Sequence, residues 1–284
     1  MVDTPKELRP NSGLVYPPHN HKNFEQYFCE RFISEGIETN LEYIPVLWTN
    51  FYVENGFGTK NLHIIQSFID SLDKKKSYFT VVQYDDNIIN KLDGLDIKIF
   101  NLSGKGAHID KCYDIPLICT PPPNLKHYER KEIFASFIGR MTNSLRSDLV
   151  RSLSGNPKYV IEQSSAGTDY HNYNSFREIM AKSLFSLCPR GYGPTSFRVC
   201  EALQSGSIPV IISDHEEHRP FFDEIDLEDF SVVLKSEQIS NLDQILSGID
   251  ESRILTYQQN GSNFYGRYYE FSSCFDRIIE KVNR

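Results

Sequence analysis

The sequence predicts an α/β protein built from two Rossmann-like parallel-sheet domains that face each other across a cleft. Two observations carry this. Short apolar runs of strand length alternate with segments of helical period over residues 23–100 and again over 133–213, which is how helix-covered parallel sheets read. Between the two series stand Pro121, Pro122 and Pro123 followed by NLKHYERK, the composition of a linker. Residues 1–123 then form a first domain, 124–254 a second, and 255–284 a helical tail that braces the first.

Bulk properties narrow the function classes. A length of 284 residues allows two compact cores, and 39% hydrophobic with 24% charged residues is ordinary for a globular chain. A net charge of −8 argues against non-specific binding to nucleic acid or to an anionic membrane surface, so an anionic ligand must be held by local positive groups. No run approaches the length of a transmembrane helix, and the N-terminal residues MVDTPKELRPNSG hold no apolar h-region, so a soluble, cytoplasmic protein is expected. The six cysteines form no CxxC pair, which points to reduced thiols and away from zinc. Oligomeric state is left open.

Taken in order, residues 1–22 read as a surface arm, and its His19 and His21 lack a neighbouring carboxylate or thiol to complete a metal site. FEQYFCERFI, stopped by Gly36, is an amphipathic helix. LEYIPVLW is a near-continuous apolar strand that ends at Trp48, Thr49 and Asn50. NLHIIQSFIDSLDKKK is a helix, and YFTVVQYDD a strand whose carboxyl end carries Asp85 and Asp86. Ligands gather at such ends in open parallel sheets, which makes these carboxylates candidates for chemistry, although aspartates there also cap turns. LDIKIF closes the first series. The second runs IFASFIG, SLRSDLVRSL, KYVIEQ and YNSFREIMAK, strand then helix twice over. Arg140 directly follows the first of these strands, and Arg146 lies early in the next helix. HEEH at 215–218 has ligand residue types but lacks the HExxH spacing.

Residues 183–222 say most. SLFSLC is a buried strand that ends in a turn at Pro189 and Gly191; a helix capped by Thr195 or Ser196 follows, and after Gly206 SIPVIIS is the next parallel strand. Helical spacing gathers Arg198, Glu201 and Ser205 on one side, predicted to face outward. A glycine turn before a helix suits a phosphate, with Arg190 and Arg198 as its guanidinium partners. An Arg198–Glu201 surface ion pair would give the same pattern without a ligand. Pattern alone leaves both readings open.

The string CPRGYGPTSFR, then EAL, then GSIPVIISD and PF resembles the signature of the exostosin family of glycosyltransferases, with Ser207 where the family has cysteine. Asp114, Ile115 and Pro116 are similar to the family's aspartate-isoleucine-proline element. QYDD resembles the histidine-aspartate pair of plant members, with Tyr84 in place of histidine. The resemblance implies a GT-B architecture and an inverting glycosyltransferase that moves a sugar from a nucleotide sugar, expected to be a UDP-sugar, to a hydroxyl of a glycan acceptor. The short form resembles enzymes encoded by large algal viruses, which suggests xylose as the sugar and the host cytoplasm as the location. In that reading Glu201 accepts hydrogen bonds from ribose hydroxyls. Arg190 and the backbone of Gly191, Tyr192, Gly193 and Ser196 hold the diphosphate, joined by Arg198, Arg140 or Arg146. Asp85, with Asp86 as second choice, deprotonates the acceptor. No cofactor or metal is required, because arginines and amides can take over a metal's electrostatic task. Two other classes remain: an inactive glycan-binding or regulatory module of the same fold, and a sugar-nucleotide hydrolase or epimerase.

Overall fold

The computed structural model describes residues 1–9, 22–102, 106–122, 125, 128–164, 170–214 and 218–284. His19, His21 and residues 215–217 of the HEEH stretch lie outside them. The chain divides into two α/β units, each with a wholly parallel sheet: Met1–Pro116 with Phe271–Arg284, and Leu117–Glu270. The sequence places the division at the triple proline and keeps 255–284 together. The packing divides the chain earlier, because Leu117, Ile118 and Cys119 are buried and the Cys119 carbonyl is held inside the second unit by Gln204 Nε2 at 2.7 Å.

In the first unit, α1 (Phe24–Ser34) is capped by the Asn23 side chain, which accepts from the Gln26 amide. Its buried face is Phe24, Glu25, Phe28, Cys29 and Phe32. β1 (Glu42–Tyr43) follows, then α2 (Trp48–Glu54), α3 (Leu62–Asp70), β2 (Ser77–Val82), β3 (Asp96–Asn101) and β4 (Cys112–Asp114). The sheet order is β1-β2-β3-β4, with Tyr43 opposite Phe79 and Val81 opposite Phe100.

The strand expected over LEYIPVLW is cut to two residues. Pro45 has no amide for the ladder, and Trp48, Phe51 and Tyr52 turn into the core as one face of α2. Trp48, Thr49 and Asn50 therefore open a helix rather than end a strand. The Trp48 indole donates to Thr80 Oγ1 at 2.8 Å, so its buried N–H is satisfied.

The second unit runs β5 (Ile133–Gly139), α4 (Ser144–Leu153), β6 (Tyr159–Gln163), α5 (Tyr170–Lys182), β7 (Ser183–Pro189), α6 (Arg198–Gln204), β8 (Ile208–Ser213), β9 (Val232–Lys235), α7 (Leu242–Ser247) and α8 (Glu251–Phe264), then a π-helical turn over Tyr265–Tyr269. Its sheet order is β6-β5-β7-β8-β9. From β5 the chain winds one way to β6 and then reverses to β7, so the topological switch point lies between β5 and β7. Crevices form there in doubly wound sheets.

The final helix, α9 (Phe271–Asn283), belongs to the first unit. It buries Cys274, Phe275, Ile278 and Val282. Phe275 lies 4.7 Å from Phe28 between ring centroids, and the Arg31 guanidinium lies 4.1 Å over the Phe275 ring.

Candidate functional site

The carboxyl ends of β5 and β7 are joined by one side chain. Arg146 on α4 is 4% exposed. Its Nε donates to the Arg190 carbonyl at 2.8 Å, Nη1 to the Arg140 carbonyl at 3.1 Å and Nη2 to the Pro189 carbonyl at 3.1 Å. Asn143, whose Oδ1 caps α4 by accepting from the Arg146 amide, also donates through Nδ2 to the Gly191 carbonyl at 2.8 Å. Arg146 thus holds the two loops of the switch point together. Burial, then the Arg198 charge, pushes its pKa down to about 9, the sign of a cation short of counter-charge.

Arg190 lies between two groups of its own unit. Its Nε and Nη2 grip the Asp214 carboxylate just after β8, with Nη2 to Oδ2 at 2.9 Å, and Nη1 donates to the Gly191 carbonyl at 3.0 Å. Arg198 runs back under β5. Its Nη2 donates to the Ile138 carbonyl at 2.6 Å, and the guanidinium lies 5.0 Å from the Phe137 ring centre and 5.6 Å from that of Phe176. Nε of Arg198 is buried without a hydrogen-bond acceptor among the described residues. The close approach requires glycine at 139, since a Cβ there would stand 2.3 Å from Arg198 Nη2.

The turn between β7 and α6 closes on itself through the Gly191 amide and the Thr195 carbonyl, 2.8 Å apart. The amides of Tyr192, Gly193, Thr195 and Ser196 have no acceptor among the described residues, although Gly193 is buried and Ser196 is only 6% exposed. Ser196 Oγ accepts from the Arg198 amide at 3.4 Å. Tyr192 stands out at 62% exposure, and Arg140 is exposed with no side-chain partner among the described residues.

The expectation that Arg198, Glu201 and Ser205 share an outward face is overturned. From Val199 to Gln204 every residue of α6 is buried, Glu201 is 4% exposed and Ser205 fully enclosed. The helix lies on β7 and β8 and is packed by α5, α8 and the π turn, which leaves only a small part of Glu201 accessible. Its polar groups are matched internally: Ser205 Oγ donates to the Glu201 carbonyl at 2.8 Å, and Glu201 Oε1 lies 3.8 Å from Nη1 of Arg177 on α5. Arg177 Nη2 in turn donates to Gln204 Oε1 at 2.8 Å.

The second unit therefore gathers Arg140, Arg146, Arg190, Gly191, Tyr192, Gly193 and Ser196 at one switch point, with Arg198 and Glu201 behind it. Arg177 and Asp214 were missed. Asp214 had the signal of an acid just past a strand's carboxyl end; Arg177 had none, being one cation on a helix.

Asp85 and Asp86 belong to the first unit and follow β2 in a turn closed by the Asn87 amide on the Tyr84 carbonyl at 2.8 Å. Asp85 is half-buried and Asp86 exposed. Beneath them sits an acid the sequence did not single out. Glu25, 1% exposed, accepts from the Thr49 amide at 2.9 Å, from Thr49 Oγ1 at 2.7 Å and from the Gln83 amide. Burial outweighs these bonds and raises its pKa from 4.5 to about 7. Its place in the apolar stripe of α1, beside Phe28 and Cys29, was the available signal. Among the described residues no group of three His, Cys, Asp or Glu is placed to hold a metal ion, and no helix is long and apolar enough to cross a membrane.

A family model, the Exostosin GT47 domain, matches residues 102–249, just over half of the chain. The chain belongs to the exostosin GT47 family. The match takes in the whole switch point and stops short of Asp85 and Asp86. This exostosin is similar to a probable glucuronosyltransferase of Oryza sativa subsp. japonica, with 35% identity over 121 residues, 43% of this chain and 26% of the relative. It is likewise similar to a probable glycosyltransferase of Arabidopsis thaliana, with 35% identity over 123 residues, 43% of this chain and 25% of the relative. The matched region spans about a quarter of the length of these two relatives. Among solved structures the chain is similar to WaaG, a glycosyltransferase involved in lipopolysaccharide biosynthesis, at a TM-score of 0.40 and 11% identity over 93% of this chain and 84% of that one.

Proposed function

We propose that this exostosin is an inverting glycosyltransferase that moves a sugar from a UDP-sugar to a hydroxyl of a glycan acceptor. The observation that carries the reading is the turn after β7: four amides without acceptors, set beside guanidinium groups that outnumber the carboxylates facing them. Arg190 is matched by Asp214, Glu201 is set against Arg177 and Arg198, and Arg146 is held by carbonyls. Buried cations in excess favour a multiply charged anion, and a diphosphate brings acceptor oxygens for the idle amides.

In this reading the amides of Tyr192, Gly193, Thr195 and Ser196 bind the diphosphate, with the exposed Arg140 beside them. Arg146 and Asp214 act one step removed by holding the loops and Arg190. As the bond to the anomeric carbon breaks, charge grows on the leaving phosphate, and fixed donors aimed there stabilise the transition state more than the ground state. The exposed Tyr192 offers a ring for the base to stack on, and Glu201 accepts from the ribose hydroxyls. Asp85, or Asp86, takes the proton of the acceptor hydroxyl as it attacks from the opposite face. The cations and amides supply the charge stabilisation a divalent metal would otherwise give, so catalysis is proposed to be metal-independent.

For the sugar, xylose is proposed. The names of the rice relatives, probable glucuronosyltransferases, put glucuronic acid beside it. A calorimetric titration with nucleoside diphosphates, UDP-xylose and UDP-glucuronic acid, with and without EDTA, on this chain and on Glu201→Ala tests the reading. EDTA-insensitive binding of a uridine nucleotide that the variant loses is expected. Absence of binding by any nucleotide would sink it and leave the glycan-binding module.

A further inference from the structure

Three exposed apolar side chains of the first unit, Phe57, Ile89 and Ile109, lie on loops joined to the turn of Asp85 and Asp86. Ile89 is on the loop that continues from that turn. Gly58 packs so closely on it that a Cβ there would stand 2.2 Å from Ile89 Cδ1. The buried Tyr52 ties the two loops together. Its carbonyl accepts from the Gly58 amide at 2.9 Å, its hydroxyl accepts from the Ile89 amide at 3.2 Å and donates to Asn90 Oδ1 at 3.1 Å, and its ring centroid lies 5.0 Å from that of Tyr84, the residue before Asp85. His108, one residue before Ile109, brings the third loop in through Nε2, 2.8 Å from the Asn90 carbonyl oxygen.

Phe57 costs the fold twice. Its φ of +57° lies in the left-handed region that phenylalanine avoids, between Gly56 and Gly58 at +69° and +73°. Its ring gains little from the core in return, being 69% exposed. The loop is nevertheless fixed by its own bonds: the Lys60 amide donates to the Asn55 carbonyl at 3.0 Å, Thr59 Oγ1 to the Gly56 carbonyl at 2.7 Å, and Asn61 Nδ2 to Asn55 Oδ1 at 2.6 Å. A fixed loop that holds one ring out to water against its backbone preference is the arrangement of a preorganised ligand contact.

Three apolar side chains interspersed with the exposed Lys60, Asp86 and Asp110 fall far short of the roughly 800 Å² that each side of a stable protein interface buries. They suit a smaller ligand that combines both characters. A sugar ring does: its hydroxyls donate to carboxylates, and its C–H face lies on the negative face of an aromatic ring. The buried Tyr84 and Tyr52 rings separate the aspartate turn from the Phe57 loop, so a sugar attacked at the aspartates is not the one that covers Phe57. We propose that Phe57, flanked by Ile89, is the platform for a second sugar residue of the acceptor, and that the acceptor is therefore an oligosaccharide rather than a free monosaccharide. The proposal rests on the transferase reading and on Asp85 or Asp86 as the place of attack.

The test is a glycan array of mono- to tetrasaccharides of xylose, glucose, galactose, mannose and fucose, probed with the full chain and with Phe57→Ala, Phe57→Tyr and Phe57→Gly. Melting temperatures are measured alongside, and transfer from UDP-xylose and UDP-glucuronic acid is followed on the glycans that bind. The wild-type chain should bind at least one oligosaccharide about tenfold more tightly than the matching monosaccharide. Phe57→Ala and Phe57→Gly should remove that increment and raise KM for the oligosaccharide about tenfold with kcat within about twofold, whereas Phe57→Tyr, which keeps a ring, should retain it. Phe57→Gly should melt no lower than the wild type, since glycine suits the left-handed position. Equal binding of mono- and oligosaccharides by the wild type, or an increment that survives Phe57→Ala, would overturn the proposal. So would a Phe57→Gly chain that melts well below the wild type, because the ring would then be part of the fold. An increment lost in Phe57→Ala without transfer from either donor would sustain Phe57 as the glycan contact and count against the transferase reading alone. A chain that binds UDP but none of these glycans would overturn the proposal and leave the donor site standing.

Discussion

At the carboxyl edge of the first sheet the enclosed charged side chain is an acid, Glu25, met by two amides and a hydroxyl. At the switch point of the second sheet the enclosed charges include the arginines Arg146, Arg177 and Arg198, and among the described residues Glu201 is the carboxylate set against Arg177 and Arg198. The two solutions differ because the two groups have different ways out. A lone buried acid lowers its desolvation cost by taking a proton, and Glu25 does so with a pKa near 7. A guanidinium has no such escape at neutral pH. It must be given carbonyls, as Arg146 is, or an anion from outside. The first unit thus encloses an acid that can shed its charge, and the second encloses cations that cannot.

The comparison can be broken at several points. The largest effect is expected at the first unit's aspartates: Asp85→Asn should lower kcat by about 10²- to 10⁴-fold, the usual worth of a positioned base, with the donor's Kd unchanged. If Asp86→Asn alone does this, the two exchange roles; if neither does, the base is elsewhere.

Next stands Arg146→Met, which strips hydrogen bonds from three carbonyls of the switch point. Urea unfolding should show a loss of at least about 3 kcal/mol, and nucleotide binding should fall with it. Unchanged stability would mean the loops hold without the clamp.

The pH response of the first unit has a definite sign. Glu25 holds its proton in the folded state up to about pH 7, whereas the unfolded chain releases it near 4.5. Stability from this group is complete below 4.5 and declines as pH rises from 4.5 to 7, by about 3 kcal/mol for a shift of this size. Glu25→Gln should flatten that decline. A wild-type profile that rises across the same window would refute the assignment.

The smallest effect is expected from Asp214→Asn, which loosens the Arg190 fork and should weaken nucleotide binding by about tenfold, or about 1.4 kcal/mol. A loss of stability without a loss of binding would make the Arg190–Asp214 pair a brace only.

The alternation of β5 to β8 with α4 to α6 was readable because each element is bounded by its own stop: Gly139 and Pro189 after strands, Gly206 after α6. α2 was not readable, since LEYIPVLW is as apolar as a buried strand and only the missing Pro45 amide breaks it. β9 went unseen because VVLK is short and follows a run of acids. At the site the sequence named the glycine turn and its arginines but mistook their geometry. The outward face of α6 rests on helical period alone, and period cannot report that α5, α8 and the π turn cover the helix from above. The same limit hid Arg177 and Glu25. A buried charge looks like a solvated one until its neighbours across the fold are known.

The chain passes from the first unit to the second after Pro116 and returns after Glu270. The second unit is therefore one continuous stretch, whereas the first is not complete until α9 exists to lay Phe275 against Phe28. On the ribosome the second unit can finish folding while the earlier-made first unit still waits, its α1 aromatic rings uncovered, for the segment Phe271–Arg284. Order of synthesis and order of completion are reversed. Removal of α9 should leave the second unit native and expose the first unit's aromatic core.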